Sequence, residues 1–133
     1  MSVDRVTYVD SSAIVKLVVR EPESSALSHF LRRRRALVSS ALSRVEVERA
    51  CIGLGREVRE RCREVLGRLE LVRINERVLE IAASLLPAEL RSLDAIHLAT
   101  ASLFETSLAN VVTYDARMAA SARGLGWRVA TPK

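Results

Sequence analysis

The sequence predicts an α/β fold in which a short parallel sheet of about five strands is flanked by helices. Short apolar segments alternate with longer helical ones along the chain, as is typical of parallel sheets covered on both faces. Only five glycines and three prolines occur among the 133 residues, which favours a helix-rich fold. The sequence contains no repeat, linker or low-complexity tract, so we expect a single domain over residues 1–133.

Five segments are predicted to be strands because they are short, apolar and rich in β-branched residues. The first two end in polar residues, at Asp10 and at the serines that close the second strand. In chain order the segments are Val6–Val9, Ala36–Ser40, 69–74, 110–115 and 126–130.

The predicted helices begin and end at recognisable residues. Ser11 or Ser12 is expected to cap the first helix, Pro22 to open the second, and Asn75 to cap the fifth. A Gly-Leu-Gly sequence at 53–55 separates two neighbouring helices, and Pro87 stops the fifth. The seven predicted helices cover residues 11–19, 22–33, 41–54, 56–69, 75–86, 92–104 and 115–123.

The charge of the chain points to an acidic partner. The formal net charge is +5 and the sequence pI is about 10, which favours nucleic acid or an acidic protein segment. Aromatic residues make up only 4% of the chain, which disfavours a base-stacking RNA surface. The arginine run at 32–35 is interpreted as a solvated face, with contact to RNA phosphates as the alternative.

The cysteines and the hydropathy indicate the compartment. Cys51 and Cys62 form no CxxC pair, which is the usage of a reduced, cytoplasmic protein. No apolar stretch approaches the roughly 20 residues that a membrane-spanning helix needs, so we expect no membrane association.

Four acids are predicted to meet at one edge of the sheet. Asp10 closes the first strand and Asp115 closes the fourth, while Asp94 lies in the first turn of a helix and Glu46 within the helix after the second strand. Ligand sites in such sheets lie beyond the carboxyl ends of the strands. Two carboxylates 4 Å apart repel by about 4 kcal/mol at an effective dielectric of 20, so protonation or a bound cation is required. All-oxygen ligation favours Mg²⁺ or Mn²⁺ over zinc.

Four motifs, in this order and spacing, resemble the PIN-domain ribonucleases and most of all the VapC toxins of type II toxin–antitoxin systems. They are YVDSSAIVKL, SALSRVEVERA, SLDAIHLATA and VVTYDARMAASARGLG. The resemblance spans nearly the whole chain and implies a PIN-like three-layer fold with a Mg²⁺- or Mn²⁺-dependent endoribonuclease site. It implies that Asp10, Glu46, Asp94 and Asp115 are the catalytic and metal-binding acids. Ser11 and Thr113 match small hydroxyl positions that support such a site.

The resemblance also implies a reaction and partners. Water activated by the metal would attack the RNA phosphorus in line and leave a 5′-phosphate end. Asp10 and Asp94 are the first choice as direct ligands, Glu46 would ligate or orient water, and Asp115 would assist or hold a second ion. A cognate antitoxin is the implied inhibitor and a homodimer the implied assembly, through apolar helices at 26–31 and 42–69.

Each candidate residue also has a purely structural interpretation. Asp10, Asp94 and Asp115 stand where a helix begins, and an acid is favoured there without any metal. Glu48 competes with Glu46, but its neighbour Arg44 indicates a solvated ion pair. His97 is interpreted as a packed histidine rather than a catalytic base.

Other classes of protein also cluster acids at strand ends. A receiver-type phosphoacceptor needs a lysine near the last strand, and Lys16 and Lys133 fit poorly. A haloacid-dehalogenase-like phosphatase needs a second aspartate where this chain has Ser12. A catalytically silent PIN-like protein-binding module is the remaining alternative, although all four acids are present.

Overall fold

The structure, a computed structural model, describes residues 5–133, so residues 1–4 of the predicted domain lie outside it. Its centre is one sheet of five parallel strands. Each strand is short and apolar, as the sequence pattern predicts. The strands are β1 (Val6–Val9), β2 (Ala36–Ser40), β3 (Glu70–Val72), β4 (Leu108–Val112) and β5 (Val129–Ala130).

Within the described part of the chain, seven α-helices connect the strands, together with a 3₁₀ turn before β4. Within residues 5–133, no helix has both the length and the apolar character that crossing a bilayer would require. The helices are α1 (Ser11–Val18), α2 (Ser24–Arg32), α3 (Leu42–Ala50), α4 (Arg56–Gly67), α5 (Glu76–Ser84), α6 (Ser92–Ser102) and α7 (Ala116–Gly124).

The two faces of the sheet are covered by different helices. On β1, Val9 packs with apolar residues of α1 to α4, whereas Tyr8 packs with α6 and α7 on the opposite face. Neighbouring residues of β4 divide in the same way, with Val112 in the first core and Val111 in the second. This alternation follows from the period of two in a strand. The result is the predicted three-layer α/β architecture, which is confirmed.

The strand order places a crevice at the centre of the sheet. The order is β3-β2-β1-β4-β5, so the chain moves outward from β1 in one direction and later returns to its other side. Parallel sheets bind their ligands where the order reverses, outside the carboxyl ends of the strands. Here that point lies between the ends of β1 and β4. The backbone N–H of Asp10 donates to the carbonyl of Val112 at 3.1 Å and joins the two ends.

Most boundaries agree with the sequence predictions, and the differences have local causes. α3 stops at Ala50 rather than at residue 54 because Gly53 and Gly55 adopt positive φ angles of 82° and 99° in the turn to α4. β4 stops at Val112, so Thr113 lies in the connection and Asp115 becomes the N-cap of α7.

The predicted cap of α1 is wrong. The N-cap is Asp10, whose side chain accepts from the backbone N–H of Ala13, and Ser11 and Ser12 already belong to the helix. Aspartate and serine are comparably good caps, so the pattern alone does not distinguish them. The structural interpretation of Asp10 as a cap is therefore correct, and it does not exclude a chemical role.

The arginine run is far from the crevice. It connects the end of α2 to the start of β2, which is the amino end of that strand, whereas the crevice lies at the carboxyl ends. The guanidinium of Arg34 lies 3.8 Å from the centre of the Phe30 ring. The position of the run favours the interpretation as a solvated face.

Candidate active site

A cavity of about 290 Å³ opens at the carboxyl ends of β1 and β4. All four acids singled out in the sequence line it, although they come from four different parts of the chain. Thr113 is buried beside it and contacts Asp10. The lining residues are Asp10, Ser11, Ser12, Glu46, Arg91, Ser92, Leu93, Asp94, His97, Asp115 and Met118.

Asp10 is the most deeply buried of the four acids, with 3% of its surface exposed. Its Oδ1 accepts from the hydroxyl of Ser12 at 2.7 Å and from the N–H of Ala13 at 3.1 Å, and its Oδ2 accepts from the hydroxyl of Thr113. Burial raises the pKa of Asp10 above its usual value, although the bonds from Thr113 and Ser12 act in the opposite direction. Asp10 is therefore held in one orientation at an electrostatic cost.

Glu46 has a different environment, half-buried on α3. Its Oε1 accepts from the hydroxyl of Ser11 at 2.6 Å and lies 2.7 Å from Nε2 of His97. Partial burial alone would raise the pKa of Glu46, but these hydrogen bonds outweigh it and the pKa lies below the usual value. Glu46 is therefore ionised at neutral pH and is oriented by two side chains.

Glu46 and Glu48 lie on different faces of α3, and only Glu46 lines the cavity. Glu48 is exposed and pairs with Arg44 at 3.7 Å, four residues earlier on the same helix, as the sequence predicts. Exposed pairs of this kind contribute little to stability. Glu46 points to the cavity instead, so the choice of Glu46 as the acid that reaches the cavity agrees with the structure.

Asp94 and Asp115 line the same cavity, and the charge of Asp115 acts on Asp94. Asp94 lies in the first turn of α6, and Asp115 caps α7 by accepting from the backbone N–H groups of Arg117 at 2.8 Å and Met118 at 3.2 Å. Burial is the main cause of a raised pKa at Asp94, and the negative charge of Asp115 is the next. Arg91, at the start of α6, lowers the pKa but does not cancel these effects.

His97 is the residue whose place in the site the sequence did not reveal. It is 2% exposed, so its interpretation as a packed histidine is correct, yet its ring borders the cavity and contacts Glu46. It follows Asp94 by three residues, a spacing that puts two side chains on one face of a helix. That spacing was the available signal, but it does not distinguish a residue in the site from one in the core.

The donor set suits a hard divalent cation. Among residues 5–133, no three histidine, cysteine, aspartate or glutamate side chains converge tightly enough to coordinate a single ion. Mg²⁺ does not require such a cluster, because it keeps several waters and is usually held by one or two carboxylates. Oxygen ligands from acids that repel one another therefore suit Mg²⁺ or Mn²⁺ better than zinc.

Sequence relatives identify the family. The family model of the PIN domain matches residues 7–124. The chain belongs to the PIN domain family. Ribonuclease VapC46 of Mycobacterium tuberculosis is 54% identical over 125 residues, which are 94% of this chain and 96% of that protein. Ribonuclease VapC47 of the same species is 38% identical over 130 residues, with the same coverage of both chains. The predicted resemblance to VapC proteins is confirmed.

Solved structures show the same PIN domain fold at much lower identity. A toxin–antitoxin complex from Klebsiella pneumoniae matches with a TM-score of 0.72 at 22% identity, covering 96% of this chain and 98% of that one. Mycobacterium tuberculosis VapC20, described as a toxin that cleaves the sarcin–ricin loop, matches with a TM-score of 0.73 at 13% identity. That match covers 95% of this chain and 99% of VapC20.

The raised pKa of Asp94 predicts that its charge destabilises the metal-free PIN domain. When the pKa of a carboxyl group is higher in the folded state than in the unfolded state, that group's contribution to stability is greatest at acid pH. The contribution is lost as pH rises through the folded pKa. In EDTA, Asp94→Asn should therefore melt at or above wild type at pH 7, by up to about 3 °C. The difference in melting temperature between the variant and wild type should become smaller towards pH 4, where the wild-type carboxyl gains its proton.

Calorimetric melting curves at both pH values measure this effect, and Glu48→Gln is the matched control. Glu48 is exposed and paired with Arg44, so its variant should show no such gain between pH 4 and pH 7. A melting temperature for Asp94→Asn below that of wild type at pH 7 would show that the favourable position in the first turn of α6 outweighs the repulsion from Asp115.

Proposed function

We propose that this protein is an endoribonuclease toxin that hydrolyses RNA phosphodiester bonds with the help of Mg²⁺ or Mn²⁺. The observation that carries the proposal is the meeting of four carboxyl groups in one cavity at the carboxyl ends of β1 and β4. Relatives named as ribonucleases, at 54% and 38% identity, support this assignment. The alternative, a catalytically silent PIN-like binding module, offers no reason to retain the mutually repelling acids.

Asp10 and Asp94 are the residues we assign to hold the cation. Both have raised pKa values, so both gain from a nearby positive charge. When bound, a divalent cation neutralises phosphate charge and makes water a better nucleophile near neutral pH. Asp115 adds a fourth carboxyl group to the same cavity, and Ser11 and Thr113 hold Glu46 and Asp10 in place through their hydroxyl groups.

Glu46 is assigned to orient the attacking water or to contribute a ligand. Both of its hydrogen bonds, from Ser11 and His97, use Oε1. Oε2 is therefore the oxygen that remains for a water molecule or a cation. Because the carboxylate is ionised and fixed by two donors, it needs no rearrangement before it acts.

Positive charge around the acids supports an RNA substrate. Arg91 lines the acidic cavity, and a second cavity of about 670 Å³ shares Asp115 with it. Arg123 and Lys133 border that second cavity together with Lys16, which is already paired with two glutamates. An RNA strand whose scissile phosphate lies at the acids would place flanking phosphates near Arg123 and Lys133.

Asp10→Asn tests the proposed chemistry without removing the cap of α1, because asparagine caps a helix as well as aspartate does. Changes in residues that merely support metal ligands cost about 10- to 100-fold, so a direct ligand should cost about 100-fold or more. We expect that loss in Mg²⁺-dependent cleavage of a fluorescent single-stranded RNA, and complete loss of wild-type cleavage in EDTA.

Melting temperatures of the same variants, measured with and without Mg²⁺, test the proposed metal binding. Added Mg²⁺ should raise the melting temperature of wild type by mass action, and that of Asp10→Asn and Asp94→Asn far less. Glu48→Gln, outside the cavity, should cleave and respond to Mg²⁺ as wild type does. Wild-type cleavage by Asp10→Asn would refute the site. A folded wild type that binds Mg²⁺ and cleaves no RNA would favour the silent binding module.

We also propose that the protein is a homodimer. The helix at 26–31 no longer supports this, because Leu27 and Leu31 are buried within the chain's own core. Within the predicted range 42–69, exposed apolar side chains lie on α3 and the turn after it, where Val45, Ile52 and Leu54 are 55%, 67% and 49% exposed. Apolar side chains exposed to this extent fit an interface.

Light scattering at micromolar concentration should report a dimer for wild type. Ile52→Glu puts a charge into the proposed interface and should give a monomer. Leu125→Glu, which changes an exposed leucine at the end of α7, should leave the dimer intact. A monomeric wild type would contradict the proposal, as would a dimer that persists in Ile52→Glu.

The cavity could also accept a segment of a cognate antitoxin, which we propose as the inhibitor. An arginine of an inserted peptide would pair with the acids, and an acidic side chain would pair with Arg91 at the same opening. The C-terminal segment of an antitoxin encoded beside this gene should therefore suppress RNA cleavage by itself. The same peptide with its charged residues changed to alanine is the control. Undiminished cleavage with saturating bound peptide would contradict this mode of inhibition.

A further inference from the structure

A chain of buried side chains leads from the middle of the sheet to the cavity. The hydroxyl of Tyr8, on β1, lies 2.6 Å from Nδ1 of His97, and Nε2 of the same ring lies 2.7 Å from Oε1 of Glu46. The hydroxyl of Ser11 lies 3.4 Å from the same Nε2. Tyr8 is 1% exposed and His97 is 2% exposed, so water does not compete for the contact between these two side chains.

The direction of each hydrogen bond follows from the groups at its two ends. Oε1 of Glu46 already accepts from Ser11, and a carboxylate has only acceptors to offer, so a contact of 2.7 Å requires a proton on Nε2 of His97. At the other end, the phenol of Tyr8 is buried and carries the O–H that can donate across the 2.6 Å contact with Nδ1. The phenol proton can then be donated to Nδ1, and the ring needs no second proton.

We propose that Tyr8 and His97 are positioning residues that orient the carboxylate of Glu46 through the chain Tyr8 O–H to Nδ1, then Nε2–H to Oε1. Tyr8 fixes the tautomer and the plane of the ring, and the ring fixes one oxygen of Glu46. The edge of the imidazole meets the Tyr8 ring at an angle of 77° with centres 5.9 Å apart, which further restricts its rotation.

The arrangement explains why a histidine stands at position 97. A packed apolar residue would fill the same space but leave Oε1 of Glu46 with Ser11 alone and the buried Tyr8 hydroxyl without this partner. A histidine that orients a carboxylate through one ring nitrogen, while the other is held by a neighbouring side chain, has parallels in the outer environment of metal sites.

Ring ¹⁵N NMR of the metal-free protein tests the chain directly, and it does not depend on RNA cleavage. The chain has only two histidines, and His29 is exposed, so it is an internal reference. At pH 8 the spectrum should show His97 entirely as the Nε2–H tautomer and the exposed His29 as a mixture of the two tautomers. An Nδ1–H tautomer at His97, or averaging like that of His29, would overturn the proposal.

Two isosteric substitutions separate positioning from packing. The amide nitrogen of glutamine reaches the place of Nε2, whereas that of asparagine reaches only the place of Nδ1. His97→Asn should therefore lower kcat by about 10- to 100-fold with little change in KM for RNA, and His97→Gln should recover most of that loss. His29→Gln, which changes the exposed histidine, should cleave RNA as wild type does.

Tyr8→Phe keeps the ring and removes only the hydroxyl. It should lower kcat less than His97→Asn does and should allow His97 to exchange its ring proton with solvent faster in the NMR experiment. Equal losses in His97→Asn and His97→Gln at equal melting temperatures would overturn the proposal. The kinetic measurements rest on the proposed ribonuclease function, whereas the NMR measurement does not. If the wild type had no RNase activity, the NMR result would still test the chain.

Discussion

A carboxylate buried at the end of the central strand is the constraint on which the rest of the structure depends. Asp10 is 3% exposed, and an unpaired charge at such a depth costs several kcal/mol. Its hydrogen bonds come from the start of α1, through Ser12 and Ala13, and from Thr113 after β4. Because these donors belong to separate parts of the chain, satisfying Asp10 also fixes α1 and β4 relative to β1.

The burial of Asp10 also explains why small hydroxyl residues are needed at Ser12 and Thr113. Ser12 donates to Asp10 and also accepts from the backbone N–H of Tyr114 at 2.9 Å, while Thr113 accepts from the N–H of Asp115 at 3.0 Å. Each hydroxyl satisfies a backbone group in the connection after β4 and an oxygen of Asp10. A larger or apolar residue at either position would leave buried polar groups unsatisfied.

The acids and most of the fold could be predicted because their signals are local. Asp10 and Asp115 interrupt apolar strand patterns, and the ion pair of Glu48 with Arg44 is readable from their spacing on one helix. The contact of His97 with Glu46 joins residues 51 positions apart, and it depends on how the tertiary fold brings one residue of α6 to Glu46 on α3 and Tyr8 on β1. No periodicity in the sequence encodes that packing, so His97 was visible only as a core residue.

The cavity contains two acids, Glu46 and Asp94, whose pKa values are shifted in opposite directions. Glu46 has donors fixed against it by the fold, and its charged form is favoured. Asp94 is partly buried without such donors and lies near the charge of Asp115, and its charged form is disfavoured. Paired carboxyl groups that diverge in this way are typical of sites in which they play different parts. A bound cation would lower the electrostatic cost of Asp94 more than that of Glu46, because Glu46 already accepts hydrogen bonds from protein donors. The asymmetry therefore separates Asp94, which would gain from a bound cation, from Glu46, which protein donors already orient.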